Sequence, residues 1–332
     1  MVMSRAWRVI VTGAAPGALA GALLAGLLFF LEPDLPFSLL GVGRTVCAYA
    51  VVLAAASFLL HMPWLWRHRG RTLRSLPWVV SVVLAAFASI DWSHASYFAY
   101  YLPPGINERL FKAGFWLLGG AVGCFYTALL HSAQRQRYGW RSRVLLVMLV
   151  SGPTLAQFER REAFRPPAAG AARPSVVAVE HHPRLCVIGL ESATLDAVLP
   201  LAEQGQLPFF RIMLETGAAA RLTTLVPTRR SPLWTVVATG KYPYRHGLVS
   251  SQIQTLPILG AGLELRILPR WLGFDWWGTV GGGARRVDGR DRRSLAVWEI
   301  LARLGVATGV VGWPATSPAE GEAKFMISDR FF

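Results

Sequence analysis

Charge is what this sequence has least of: Asp, Glu, Lys and Arg make up 16% of its 332 residues, where a soluble globular domain carries about 25%. That shortage excludes an ordinary soluble protein. Acidic residues are the scarcer kind, 19 against 34 basic ones, so the formal net charge is +15. Cysteine is rare as well: Cys47, Cys124 and Cys186 lie far apart with no C-x-x-C spacing, which excludes a redox motif, a cysteine zinc site and a disulfide framework. No internal repeat is visible, and no histidine follows His246. A basic balance of this size fits nucleic acid, anionic lipid or a phosphorylated substrate, or it is an orientation signal for membrane insertion, and the positions of the arginines decide between these.

Hydrophobic residues, 53% of the chain, crowd into its first half. Residues 9–31 and 45–66 are uncharged runs of about 22 residues, long enough for a bilayer core that needs about 20. Residues 76–90 resume their apolar character at 97–102, residues 113–130 form a cleaner span, and residues 144–158 are short and contain Gly152-Pro153. Five spans are therefore expected in a membrane domain at 1–158. The first run is too long for the apolar part of a signal peptide, and others follow it. Arg5 and Arg8 precede the first span. Arg67, Arg69, Arg71 and Arg74 separate the second from the third, and Arg135, Arg137, Arg141 and Arg143 separate the fourth from the fifth. Alternate loops hold only Arg44, Arg109 and Lys112, beside Glu32, Asp34, Asp91 and Glu108. Basic loops stay in the cytoplasm, so the amino terminus is expected there and the soluble half outside it; if the fifth segment does not cross, the soluble half is cytoplasmic. His61, Asp91 and His94 fall near span ends, where a wet interfacial position is expected.

Residues 159–184, charged and then rich in Pro, Ala and Gly up to His181-His182-Pro183, read as a linker, since such composition resists packing. From residue 185 short apolar runs alternate with amphipathic ones. Strands are expected at 185–190, 220–226 and 306–313, and helices at 195–204, 208–216, 231–238 and 294–304. Residues 248–290, with the basic run Arg285, Arg286, Arg290, Arg292 and Arg293, read as irregular. The alternation predicts an α/β domain with a mainly parallel sheet at 185–332.

Two places carry chemistry. Glu191 ends the first strand, and ligands of α/β sheets gather beyond the carboxyl ends of strands; it is a metal ligand or a solvated loop glutamate. Ser231 opens a helix behind Arg229 and Arg230. Helix amino termini hold phosphate and arginine grips it with a forked pair of donors, although a serine there is also a plain helix cap. Gly281-Gly282-Gly283 follows no strand and matches no phosphate loop.

The segments Val187-Ile188-Gly189-Leu190-Glu191, Gln206-Leu207-Pro208, Leu222-Thr223-Thr224, Pro227-Thr228, Trp234 to Lys241, His246-Gly247, Val310 to Thr316 and Ile327 to Phe331 together resemble the amino-terminal half of the type I phosphodiesterase/nucleotide pyrophosphatase family, within the alkaline phosphatase superfamily. The resemblance covers about residues 185–332. It implies an α/β/α sandwich, apparently incomplete, and two metal ions, usually zinc, that cleave phosphate esters with a Thr or Ser nucleophile. Carried over, Glu191 stands where the family has a metal-binding Asp, and a glutamate binds zinc at the same length. The nucleophile position falls on Arg230, which cannot act as one, so Ser231 serves as nucleophile and metal neighbour only if the turn shifts by one residue; Thr228 is a weaker substitute. Arg229 and Arg230 are the expected phosphate binders.

The family's distal Asp and His ligands have no counterpart after His246 beyond Asp275, Asp288, Asp291 and Asp329. Two metals are not expected in the chain as it stands, which is then a fragment or a non-catalytic relative. Three functions stay open: a membrane-anchored phosphate-ester hydrolase, a pseudoenzyme binding a phosphorylated ligand or partner, and a membrane phosphotransferase modifying envelope lipids. The expected partners are a phosphate ester and the lipid bilayer. Nucleic acid is not expected, because the 285–293 run lacks interleaved aromatics.

Overall fold

The computed structural model describes residues 5–67, 72–159, 184–255, 263–269, 282–319, 321 and 323–331. His181, His182, Asp275 and Gly281 lie outside the described residues. The chain forms two compact units, Met1–Gly170 with Val226–Phe332, and Ala171–Leu225.

The larger unit begins with five helices, α1 (Arg5–Leu31), α2 (Leu39–Arg67), α3 (Thr72–Tyr97), α4 (Pro104–Ala133) and α5 (Trp140–Ala156). Four of them, α1 to α4, are long and apolar enough to cross a membrane. At 17 residues α5 is about 25 Å long, short of a hydrocarbon core of about 30 Å. Glycine allows the helices to meet backbone to backbone. A Cβ on Gly17 would stand 2.0 Å from the Leu53 carbonyl oxygen, and one on Gly21 would stand 2.5 Å from the Ala50 nitrogen. The Ser57 hydroxyl donates to the Gly13 carbonyl at 2.7 Å, so three glycines four residues apart form the α1 seam for α2, a small-residue pattern suited to membrane helices. Gly120 does the same for α5, beneath Leu149 and Pro153.

Antiparallel packing sorts the helix ends. At one end, Leu27, Phe30 and Leu31 of α1 form a core with Ala95, Phe98, Tyr101, Leu102, Ile106 and Leu110, while Gln157, just past α5, lies against Gly26 and bonds Asp91. At the other end Arg74 donates to the carbonyls of Arg135 and Gln136 at 3.0 and 3.2 Å. Asp91 and His94 depart from the sequence expectation: neither is wet, with 0% and 2% exposure. The aspartate is covered because α5 brings Gln157 over it, and the histidine Nδ1 reaches the Ile90 carbonyl one turn back, at 2.8 Å.

The rest of the larger unit holds α8 (Arg230–Thr239), α9 (Pro243–His246), α10 (Val297–Arg303) and β1 to β5. Residues 248–290 are not wholly irregular: β1 (Gln252–Thr255) is the centre of an antiparallel sheet ordered β2-β1-β3, with β2 (Glu264–Leu265) and β3 (Gly283–Arg286). Arg285 therefore belongs to a strand, where it pairs with Glu264 and Asp291. Among the described residues parallel pairing is confined to β4 (Gly309–Val311) and β5 (Phe325–Ile327). A cluster of Ala238, Ala296, Trp298 and Val310, flanked by Trp313 and Met326, joins α8, α10 and this pair.

In the smaller unit, α6 (Leu195–Glu203) and α7 (Pro208–Thr216) fall where the amphipathic pattern puts them. The strands expected at 185–190 and 220–226 are absent there. A strand exists only through its neighbour's hydrogen-bond ladder, and these runs have none among the described residues; Leu185, Ile188 and Leu222 stand 84%, 70% and 95% exposed.

Candidate functional site

The turn before α8 brings together Arg229, Arg230 and Ser231. Arg229 has an extended backbone, φ −113° and ψ 128°, and is the residue that caps the helix, without a side-chain bond. The helix thus starts one residue earlier than the sequence suggested, and Ser231 lies inside the first turn. Proline is tolerated throughout a first turn, because the N–H it lacks has no partner there anyway, so Pro232 does not fix the start as closely as the dipeptide implied. Ser231 is half-buried, Arg230 is exposed, and the Ser231 carbonyl accepts the Thr235 hydroxyl at 2.7 Å. The helix ends on Gly240 in the left-handed region, φ 63°, as helices commonly do.

Arg229 turns toward the helical region. Its guanidinium lies 5.5 Å from the centre of the Phe98 ring and donates to the Val249 carbonyl at 3.1 Å. Burial holds its pKa below the usual arginine range, with Tyr101 and Glu32 opposing. Two residues before it, the Pro227 carbonyl accepts the Tyr101 hydroxyl at 2.5 Å, and burial pushes that phenol up to about 12. Of the two expected phosphate binders, Arg230 is exposed and Arg229 is half-buried against Phe98 and Val249.

Glu32, just beyond the end of α1, carries the other main tie. Its Oε1 accepts the N–H groups of Arg266, Ile267 and Leu268 at 2.7, 2.5 and 3.0 Å. Burial raises its carboxyl to about 7 despite those bonds. Beside it Asp34 pairs with Arg293 at 2.5 Å. A shallow open pocket lies here, lined by Glu32, Asp34, Tyr101, Tyr244, Arg266 and Arg293 among others. None of these ties was legible as a site in the sequence: Glu32 is 234 residues from Arg266, and no local pattern spans that distance.

Whether zinc fits can be tested on the donors. A zinc site takes three or four His, Cys, Asp or Glu side chains, and among the described residues no three of these gather as a metal-holding group. The carboxylates of residues 226–331 that the structure describes are already engaged. Asp288 caps the turn Gly289–Asp291. For Asp291 burial would raise the carboxyl, but Arg285 and the Asp288 N–H hold it below the usual range. Asp329 accepts the N–H groups of Ala315, Thr316 and Ser317, Glu264 takes Arg285, and Glu299 takes Arg292. His246 is buried with its Nδ1 accepting the Leu248 N–H at 3.2 Å, and burial pushes the imidazole down to about 4. Glu191 is exposed in the smaller unit. Among the described residues the donor set does not fit a two-zinc centre.

The chain thus combines four helices long and apolar enough to cross a membrane with a smaller α/β region. Residues 185–330 match the family model of the type I phosphodiesterase / nucleotide pyrophosphatase. No curated protein and no solved structure matches the chain.

Proposed function

We propose that the protein is a membrane-anchored phosphodiesterase-type hydrolase that takes a phosphate ester at the amino terminus of α8. The observation that carries this reading is the exposed Arg230 and the half-buried Ser231 in the first turn of α8, inside the segment that matches the phosphodiesterase family. The unpaired N–H groups of a first turn and its positive dipole end favour a phosphate, and Arg230 adds a forked donor pair. Ser231 Oγ would attack phosphorus, releasing one alcohol as it takes a proton. Water would then cleave the phosphoserine, giving a phosphomonoester and restoring the hydroxyl.

A second reading, a pseudoenzyme that binds the phosphate ester without turnover, draws on the donor set, whose carboxylates serve backbone groups and arginines instead of metal. A third, a phosphotransferase modifying envelope lipids, differs from the first only in using an alcohol in place of water. The α/β region is read on the far side of the membrane, which requires the short α5 to cross a locally thinned bilayer: Arg74 and the Arg135 turn share one end, basic ends stay cytoplasmic, and Glu32, Tyr101 and Asp34 at the other end hold Arg266, Pro227 and Arg293 respectively.

The deciding experiment is hydrolysis of a bis-aryl phosphate by the full-length protein in detergent, with zinc added or chelated. Turnover that falls by about a hundredfold or more in Ser231→Ala, the scale of losing a nucleophile, supports the hydrolase. Turnover unchanged by that substitution refutes Ser231, and phosphate binding without any turnover selects the pseudoenzyme.

A further inference from the structure

The turn before α8 is held from the helical region. We infer that Tyr101 and Phe98, in the tight connection between α3 and α4, are positioning residues for the Arg229–Ser231 turn, a role that rests on the site proposed above. Two independent contacts converge on this stretch. The buried Tyr101 hydroxyl bonds the Pro227 carbonyl at 2.5 Å, and the Phe98 ring, fully buried, lies under the Arg229 guanidinium at 5.5 Å. Between them they fix a residue on each side of Thr228 and leave Arg230 and Ser231 one and two residues further on.

Chemistry at a helix start is sensitive to this. A near-attack arrangement tolerates little displacement, and a shift of about 1 Å far from the reacting atoms costs about a hundredfold. The extended conformation of Arg229 sets where the helix begins, and nothing in its own cap holds it, since that cap has no side-chain bond. The ring face beneath the guanidinium and the Val249 carbonyl supply what the cap lacks. Phe98 and Tyr101 are themselves rigid: they sit in the core shared by α1, α3 and α4, and their rings meet edge to face at 6.2 Å. Helical packing is thereby transmitted to the turn by two side chains.

The test compares wild type with Tyr101→Phe, which keeps the ring and removes only the hydroxyl, and with Phe98→Leu, which keeps apolar bulk and removes the ring face. Two quantities are measured on full-length protein in detergent: amide hydrogen exchange at the start of α8, read at Leu233, whose N–H donates to the Arg229 carbonyl at 3.0 Å, against that of α10, and kcat and KM for a bis-aryl phosphate. Expected are about tenfold faster exchange in the α8 turn, the scale of losing one buried hydrogen bond, with α10 unchanged, and a fall in kcat at nearly constant KM. Exchange that does not change at α8, or rises equally at α10, overturns the inference. Wild type without turnover refutes the hydrolase reading instead, and the exchange comparison alone then decides whether the turn is held from the helices.

Discussion

The five helices and residues 226–331 belong to one compact unit yet are held together by different means. In the helical part the closest approaches are between backbones, made possible by Gly17, Gly21 and Gly120, and polar side chains mostly turn back on their own helix, as Thr45, Thr127 and Thr154 do. In the α/β part charge does the joining: Arg285 with Glu264 and Asp291, Arg292 with Glu299, and Asp329 with three backbone N–H groups. Where water is scarce a protein joins by fit, because an isolated charge there is costly; where water returns, ion pairs and anion nests can arrange short segments with little hydrophobic core. The junction borrows from both. It inserts Leu265 and Leu268 into the helical core and closes the backbone behind them on Glu32.

The comparison breaks most sharply at the α1–α2 seam. Gly17→Leu must place a Cβ where the Leu53 carbonyl oxygen is 2.0 Å away, and neither backbone can yield without separating the helices. We expect a loss of at least about 4 kcal/mol, in the exceptional class for one substitution, seen as collapse of the thermal transition in detergent. Gly43→Leu, with nothing within 4 Å of its Cβ, should leave that transition in place and shows that it is contact, and not glycine content, that matters. Equal effects at both positions would refute the seam.

Helices α1 to α4 were legible because a bilayer-length apolar run carries its own evidence, whereas the fifth run became a helix too short to count as a span. Their partners were not legible, since apolarity says nothing about which faces meet; Gly26 under Gln157 and Asp91 beneath the same glutamine needed the structure. In the α/β half, helices with a clear amphipathic face were readable and strands were not, because a strand's existence depends on a partner elsewhere in the chain. Val310 and Met326 pair across β4 and β5, whereas the equally apolar 185–190 run pairs with nothing described. The site was half legible. Ser231 and the arginines were visible as a motif, but that Arg229 is engaged by Val249, 20 residues on, and by Phe98, on the order of a hundred residues back, follows from contacts that no local pattern carries. The aspartates were visible as possible ligands, and only geometry reveals that Asp291 and Asp329 are occupied.

A second way to sharpen the comparison is pH, because the two halves of the junction titrate in opposite senses. Glu32 has its carboxyl raised from 4.5 to about 7 by burial, so the stability it contributes is complete below pH 4.5 and is lost as pH rises through 7. His246 is lowered from 6.5 to about 4, also by burial, so its contribution is complete above pH 6.5 and is lost as pH falls toward 4. Each shift corresponds to roughly 3 kcal/mol. Between about pH 4.5 and 6.5 these two slopes oppose each other, and each is read by denaturant titration in detergent as the difference between a variant and wild type. Glu32→Gln, whose amide oxygen can still accept the three N–H groups, should uncover a stability that rises with pH. His246→Asn, placing an oxygen near Nδ1, should uncover one that falls. A variant whose pH slope matches that of wild type would show that the group it removes is not buried as described.

The smallest effect is expected in the smaller unit, and it separates charge that joins from charge that only meets. Arg221 and Asp196 approach to 2.6 Å with their side chains 71% and 72% exposed, a geometry as close as that of Asp34 and Arg293. Proximity alone does not stabilise: in water the Coulomb gain is offset by the cost of ordering two flexible side chains and is screened by salt. Arg221→Ala should therefore change the unfolding free energy by less than about 0.5 kcal/mol, and raising the salt concentration should erase even that. Arg292 and Glu299, at 11% and 14% exposure, have no such escape into solvent, so removing one leaves the other buried. If Arg221→Ala proved as damaging as Arg292→Ala, the division between a charge-joined α/β part and a solvated smaller unit would have to be abandoned.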